Sequence, residues 1–202
     1  MHRQENALFT DHTAPSEGAV VWLTGLAGSG KTTVAEILAE RWRERGVPPI
    51  LLDGDVMREV LDRRGGYDPG SRLKMAFTYG KFACALARQG HLVIVATISL
   101  FHAVQRWNRE HAPRYCEVLL DVPMPELHRR DKKGLYSGSD PECVVGLGQP
   151  AQFPEHPDVV VDNHGGVSPH RAADRIMEKA DELFSAVTPA KIGLARRQKE
   201  KV

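Results

Sequence analysis

The sequence predicts an α/β fold built on a five-stranded parallel sheet with helices on both faces. Three observations carry that prediction. Short β-prone runs alternate with helical periods along the chain, and the run at 91–99 is nearly continuous and β-branched, as a strand covered on both faces should be. A glycine-rich turn also joins the first strand to the first helix. Alternation of this kind implies right-handed crossovers between parallel strands.

Residues 19–24 (AVVWLT) read as the first strand. Val34, Ile37, Leu38 and Trp42 then recur at helical spacing, which makes 32–45 a helix. A second strand at 50–52 stops at Asp53-Gly54-Asp55, and a long helix follows over about 71–89, closed by Gly90. Residues 91–99 (HLVIVATIS) take the sheet's centre, and 115–122 (YCEVLLDV) and 158–161 (DVVV) supply the last strands. Ser168-Pro169 reads as the cap and first turn of a closing helix to about 187. Between 135 and 157 Gly, Pro and Ser replace periodicity, so this stretch is expected to be a mobile flap. The expected organisation is a flexible N-terminal arm (1–18), one domain (19–188) with a lid at about 130–157, and a basic C-terminal tail (189–202), solvated from Lys191 onward.

A chain of 202 residues allows one ordinary domain, and 42% hydrophobic with 26% charged residues excludes disorder as the whole answer. The formal charge of +1 creates no field that would draw nucleic acid or an anionic membrane, so an anionic ligand must be held by a local site. The longest apolar run, 92–101, falls far short of the ~20 residues that span a bilayer, and the N-terminal segment lacks an apolar signal core. Cys84, Cys116 and Cys143 lie far apart with no C-x-x-C pair, which argues against zinc and disulfides and for a cytoplasmic home. The histidines show no metal-ligand spacing.

Gly25-Leu26-Ala27-Gly28-Ser29-Gly30-Lys31-Thr32 matches G-x-x-x-x-G-K-[ST] without a mismatch, between a strand and a helix. Glycines there let successive backbone N–H groups converge on phosphate oxygens where the helix dipole also favours negative charge. Lys31 would reach the β- and γ-phosphates and the Thr32 hydroxyl would hold Mg²⁺, with Thr33 beside it. Asp53 and Asp55 stand at the carboxyl end of the second strand, the edge that faces the ligand crevice of such a sheet. On an extended segment, positions i and i+2 share a face, so one carboxylate can organise Mg²⁺ while the other orients or deprotonates an acceptor hydroxyl. A solvated D-G turn is the plainer alternative. A P-loop alone names no reaction. The N-K-x-D element of guanine-nucleotide switches is absent, which favours a small-molecule kinase, and a non-catalytic nucleotide-binding module is the rival from another class.

The segments WLTGLAGSGKTT, LDGDVMR, ISLF and RRDKKGLY, with G-x-x-x-P-x-x-x-P-x-x-P from Gly146 to Pro157 before VVVDN, together resemble the adenylylsulfate (APS) kinase family. The resemblance spans residues 20–163 and implies a P-loop kinase that moves the ATP γ-phosphoryl group, with Mg²⁺, to the ribose 3′-hydroxyl of APS. It implies Asp55 as base, Asp53 in the metal shell, and Arg58 and Arg72 on the substrate's anionic end, for which an Arg fork is well shaped. It further implies Ile98, Ser99 and Leu100 as a substrate-contacting segment, Arg130 beside the ATP adenine, and Lys133 as a lid cation. Ser99 matches a serine sometimes described as a phosphoserine intermediate, although direct in-line transfer is the expectation here. The implied partner is a small-molecule nucleotide, and a homodimer is left open.

Departures accompany the matches. Met75 and Phe77 stand where the family pattern carries Asn and Arg, and of the aromatic pair that sandwiches the substrate adenine Tyr67 survives while Val144 replaces its partner. The lid is also shorter and lacks its usual Ala-Arg. Losing a stacking face costs roughly 1–3 kcal/mol per base. These departures, with Ser99-Leu100-Phe101, Trp107-Asn108-Arg109 and Val144-Val145-Gly146, are similar to a branch of the family that phosphorylates cytidine diphosphoramidate. Trp107 also reads simply as a helix residue packed against the sheet. APS is therefore the expected acceptor, with a cytidine diphosphoramidate-like nucleotide as the alternative.

Overall fold

The computed structural model describes residues 17–61, 68–131, 134–138, 142 and 144–184. Tyr67, Lys133, Cys143, the arm up to residue 16 and the C-terminal tail lie outside the described residues. Five strands, β1 (Ala19–Thr24), β2 (Ile50–Asp53), β3 (Leu92–Ala96), β4 (Tyr115–Asp121) and β5 (Val159–Asp162), pair in parallel in the order β2-β3-β1-β4-β5. The helices are α1 (Lys31–Glu44), α2 (Gly54–Val60), α3 (Pro69–Ala87), α4 (His102–His111), α5 (Met124–Arg130) and α6 (Pro169–Phe184). This is the α/β P-loop kinase fold.

Alternation along β1 divides the core. Val21 and Leu23 pack with Val34 and Leu38 of α1 and Ile176 of α6, while Val20 and Trp22 pack with Ala76 and Tyr79 of α3 and Val104 of α4. Leu38, Ile94, Leu120 and Ile176 are fully enclosed, and burying each contributes roughly 1.5–3 kcal/mol. The chain moves one way from β1 to β2 and the other way through β3, β4 and β5, which puts α1 and α3 on opposite faces under right-handed crossovers. A crevice opens where the order reverses, at the strands' carboxyl ends.

The 91–99 run, expected at the sheet's centre, forms β3, which lies second in the order while β1, paired on both sides, takes the middle; β3 also ends sooner than its apolar run. Ala96 pairs with Asp53, the last residue of β2, so the ladder on that side has no partner beyond it. The Thr97 N–H still reaches Leu23 O at 3.0 Å, the Thr24 hydroxyl then takes Ile98 O, and Ser99 turns into the left-handed region at φ 26°. Ile98, Ser99 and Leu100 are accordingly a loop. Three helices, α2, α4 and α5, stand beyond the elements expected from the sequence, although Pro125 and Glu126 mark the start of α5. Trp107 lies on α4 and packs edge-on against Phe77 of α3 at 6.2 Å and flat on His111 at 4.3 Å.

Glu17 and Gly18, expected in the loose arm, are tied to the body: Arg114 donates to Glu17 O and the Gly18 N–H to Ala87 O, both at 2.7 Å. The segment 144–157, expected as a flap, packs here on the body through Gln152, whose N–H donates to Leu100 O at 3.1 Å and whose carbonyl accepts from Gln105 at 2.9 Å. Just beyond it, Arg109 bridges Asp158 at 3.0 Å and the buried Glu117 of β4 at 3.3 Å. Burial pushes the Glu117 carboxyl up, outweighing the downward pull of Arg109. Among the described residues no helix is long and apolar enough to cross a membrane.

Candidate active site

The loop from β1 into α1 is shaped by glycines. At Gly25 a side-chain carbon would lie 2.6 Å from Leu120 O, and Gly30, at φ 91°, is the cap residue from which α1 starts. Lys31 follows at once, its ammonium donating to the carbonyls of Gly25 (3.0 Å) and Leu26 (2.7 Å) over the loop. The Thr32 hydroxyl donates to Asp53 Oδ2 at 2.7 Å, which brings the end of β2 against the first turn of α1.

The Asp-Gly-Asp segment is a helix start. Asp53 Oδ1 accepts the N–H groups of Asp55 (2.9 Å) and Val56 (3.4 Å) and so caps α2. The two carboxylates therefore do not share the face of an extended strand, because the chain turns helical at Gly54 and leaves Asp55 exposed on the first turn. Arg58 comes one turn later, on the side of the helix that carries Asp55. Arg72 lies in the first turns of α3, whose cap is Asp68 followed by Pro69. Two contacts hold the turn: the phenol of Tyr79 donates to Gly54 O at 3.1 Å, and a side-chain carbon at Gly54 would meet Thr97 Oγ1 at 3.2 Å. Burial raises the Tyr79 phenol's pKa, which keeps it a donor.

One cleft of about 710 Å³ collects these groups. Ala27, Gly28, Gly30, Lys31, Thr32, Thr33, Asp53, Asp55, Arg58, Arg72, Ile98, Ser99, Leu100 and Arg130 all line it, as do Met75, Tyr79, Tyr136, Val145 and Asn163. Gly25, Leu26 and Ser29 shape the loop from behind without lining the cleft. Ser99 is buried, its hydroxyl 3.0 Å from that of Thr97. Its left-handed backbone carries strain of the order of 1–3 kcal/mol, held by the Thr24 contact to Ile98 and by Phe101 N–H bonding Ser99 O.

Val144 departs from its expected place in the substrate site. It is buried in an apolar cluster with Leu26, Leu100, Leu127 and Tyr136, and Val145 lines the cleft instead. Of the two departures on α3, Met75 lines the cleft, and Phe77 turns away onto Trp107.

Opposite the acidic pair, Arg130 at the end of α5 donates to Glu126 at 2.6 Å and to Asn163 O at 2.8 Å. The hydrogen bonds from Arg129 and Arg130 hold the Glu126 carboxyl down at about 2. Asp131 accepts the N–H groups of Leu135, Tyr136 and Ser137, and the Tyr136 hydroxyl then donates to Ala27 O at 2.8 Å. Burial, with Asp131 nearby, pushes that phenol up to about 12. Tyr79, Tyr136 and Asn163 were missed as site residues. Asn163 and Tyr136 each left a trace in the sequence, as the ends of VVVDN and RRDKKGLY, and Tyr79 left none.

Known proteins resemble this chain in sequence and fold. Residues 17–162 match the family described as adenylylsulphate kinase. The chain is 42% identical over 147 residues to the cytidine diphosphoramidate kinase of Campylobacter jejuni, an alignment covering 71% of this chain and 85% of that one. It is 39% identical over 145 residues to the adenylyl-sulfate kinase of Chloroflexus aurantiacus, covering 70% of this chain and 78% of that one. In structure it resembles the APS kinase of Mycobacterium tuberculosis in complex with AMPPNP and APS, with a TM-score of 0.75 at 30% identity, covering 83% of this chain and 99% of that one.

Proposed function

Because this chain belongs to the adenylylsulphate kinase family and is a kinase phosphotransferase, we propose that it carries the γ-phosphoryl group of ATP to the ribose 3′-hydroxyl of a cytidine diphosphoramidate-like nucleotide. The observation that carries the acceptor choice is Met75. An apolar thioether lines the cleft where the family pattern has a polar Asn, and Phe77, in place of an Arg, is withdrawn onto Trp107. A site short of two polar groups and of one stacking partner asks less of its base than adenine recognition does. The kinase similar at 42% identity acts on such a pyrimidine nucleotide.

The steps assign themselves to residues that share the cleft. Lys31 neutralises charge on the β- and γ-phosphates, and the backbone N–H groups of the glycine loop hold them. Thr32 Oγ1 and Asp53 Oδ2, 2.7 Å apart, form an oxygen pair suited to Mg²⁺, which when bound screens the phosphate charge. Asp55 accepts the proton of the 3′-hydroxyl as its oxygen bonds phosphorus and the bond from phosphorus to the leaving ADP oxygen breaks. Arg58 and Arg72 hold the acceptor's anionic 5′ end. Ser99, enclosed beside Thr97, shapes the acceptor wall, and transfer is direct. Arg130 borders the ATP base; the roles given to Tyr67 and Lys133 rest on the family resemblance alone, since both lie outside the described residues. Exclusion of water from the cleft keeps the γ-phosphoryl group from hydrolysis before the acceptor is bound.

APS is the second reading, favoured by the fit to a structure whose own ligands are AMPPNP and APS. The test compares kcat/KM for cytidine diphosphoramidate and for APS under the same ATP and Mg²⁺, with a 3′-deoxy acceptor as control. The pyrimidine acceptor is expected to be at least tenfold better and the 3′-deoxy compound inert. An APS value higher by a hundredfold, ~2.7 kcal/mol, would return the assignment to APS.

A further inference from the structure

Asn163 follows β5 and is buried, and its side-chain Nδ2 donates to Ser29 O at 2.7 Å across 134 residues of sequence. Its own backbone is held at both ends, the N–H by Asp121 O at 3.0 Å and the carbonyl by the Arg130 guanidinium at 2.8 Å. Its amide occupies the space a side chain at residue 30 would need, since a carbon there would lie 2.6 Å from Nδ2. We propose that Asn163 is a positioning residue that locks the Ser29–Gly30 peptide so that the Gly30 N–H faces the phosphate cradle.

The reason lies in peptide geometry. In a planar trans peptide the C=O and N–H point in opposite directions. Drawing Ser29 O towards Asn163 therefore turns the Gly30 N–H to the other side. Gly30, at φ 91°, has no Cβ to fix this choice, and a glycine tolerates the flipped peptide about as well. A flip would present a carbonyl oxygen where phosphate oxygens must sit and would withdraw a donor. Gly30 by itself leaves both states open, and the Asn163 bond selects one.

The inference rests on the nucleotide reading of this loop, and its test keeps the two apart. The full chain and its Asn163→Ala and Asn163→Asp variants are titrated with ATP and with inorganic tripolyphosphate by calorimetry, and the acceptor KM and Tm are measured beside them. Both phosphate ligands are expected to weaken by the same factor, ten- to a hundredfold in the Ala variant. The Asp variant should be weaker still, because its carboxylate opposes the Ser29 carbonyl. The acceptor KM should stay within twofold. Asn163→Ser, whose hydroxyl is too short to reach Ser29 O, is read by the same criteria if the Ala variant does not fold. Affinities for both phosphate ligands within twofold of wild type would overturn the lock, as would equal losses for ATP and acceptor together with a lowered Tm. A wild-type chain that binds neither phosphate ligand would overturn the nucleotide reading itself.

Discussion

Asp53 caps a helix with one oxygen and is proposed to hold Mg²⁺ with the other, and two substitutions separate the roles. Oδ1 caps α2 by accepting the Asp55 and Val56 N–H groups, while Oδ2 takes the Thr32 hydroxyl at 2.7 Å. Asp53→Asn keeps a cap acceptor, and Asn ranks with Asp at a helix N-cap, so stability should stay within about 0.5 kcal/mol of wild type. Asp53→Ala removes the cap, at about 1 kcal/mol within a range of 0.5–2, which for a domain of this size lowers Tm by about 2–4 °C per kcal/mol. Catalysis should not follow that order. Both variants lose the carboxylate charge proposed for the Mg²⁺ site, so both should lose at least about a hundredfold in kcat/KM, or ~2.7 kcal/mol of transition-state stabilisation. Thermal unfolding by circular dichroism reads the first effect and coupled ADP release the second. An Asn variant with wild-type Tm and more than about a tenth of wild-type kcat/KM would reduce Asp53 to a helix cap. An Asn variant that melts as early as the Ala variant would refute the capping argument.

Other outcomes follow from the same structure. Lys31→Ala and Asp55→Asn should each cut turnover by well over tenfold and leave Tm within about 2 °C, since the Lys31 ammonium lies over the loop on the Gly25 and Leu26 carbonyls and Asp55 is exposed; residual turnover above about a tenth in an ADP-release assay would remove that residue from the transfer step. Gly80→Ala gains about 1 kcal/mol in helix propensity but drives a carbon to within 2.3 Å of the buried Asn108 side chain, at about 1–3 kcal/mol of overpacking, so a Tm above wild type would show that Asn108 can yield. Burial holds the folded Glu117 carboxyl above its usual value of 4.5, so its contribution is full below pH 4.5 and is lost as pH rises through the raised folded value. Glu117→Gln should flatten that fall in denaturant-unfolding free energy measured just above pH 4.5, and an unchanged slope would show that another group titrates there.

Much of the fold was legible because its signals are local. The β-branched runs that became β1, β3 and β4 and the 3.6-residue period of α1 depend on neighbours a few residues apart, and so does the glycine spacing of the phosphate loop. The helix starting at Pro69 was equally plain from its terminal glycine and apolar period. Where a local signal pointed two ways, the tertiary partner chose. Asp53-Gly54-Asp55 is a good turn by composition, yet it starts a helix because Thr32 holds Asp53 and Tyr79 holds the Gly54 carbonyl at the end of β2. The apolar run 91–99 suits a longer strand, and it stops at Ala96 because β2 offers no ladder partner beyond Asp53.

The sequence by itself determined the class of fold, the phosphate-binding loop and the acidic pair, since each is written in residues adjacent or nearly adjacent along the chain. Tertiary structure alone decided how that site is finished. It buried Val144 and put Val145 on the cleft, turned Phe77 onto Trp107 while leaving Met75 on the cleft, and brought Tyr136 and Asn163 to the glycine loop from 109 and 134 residues away. Contacts of that reach depend on which strand ends meet at the crevice. Strand order is a property of the packed sheet, and no short-range periodicity records it.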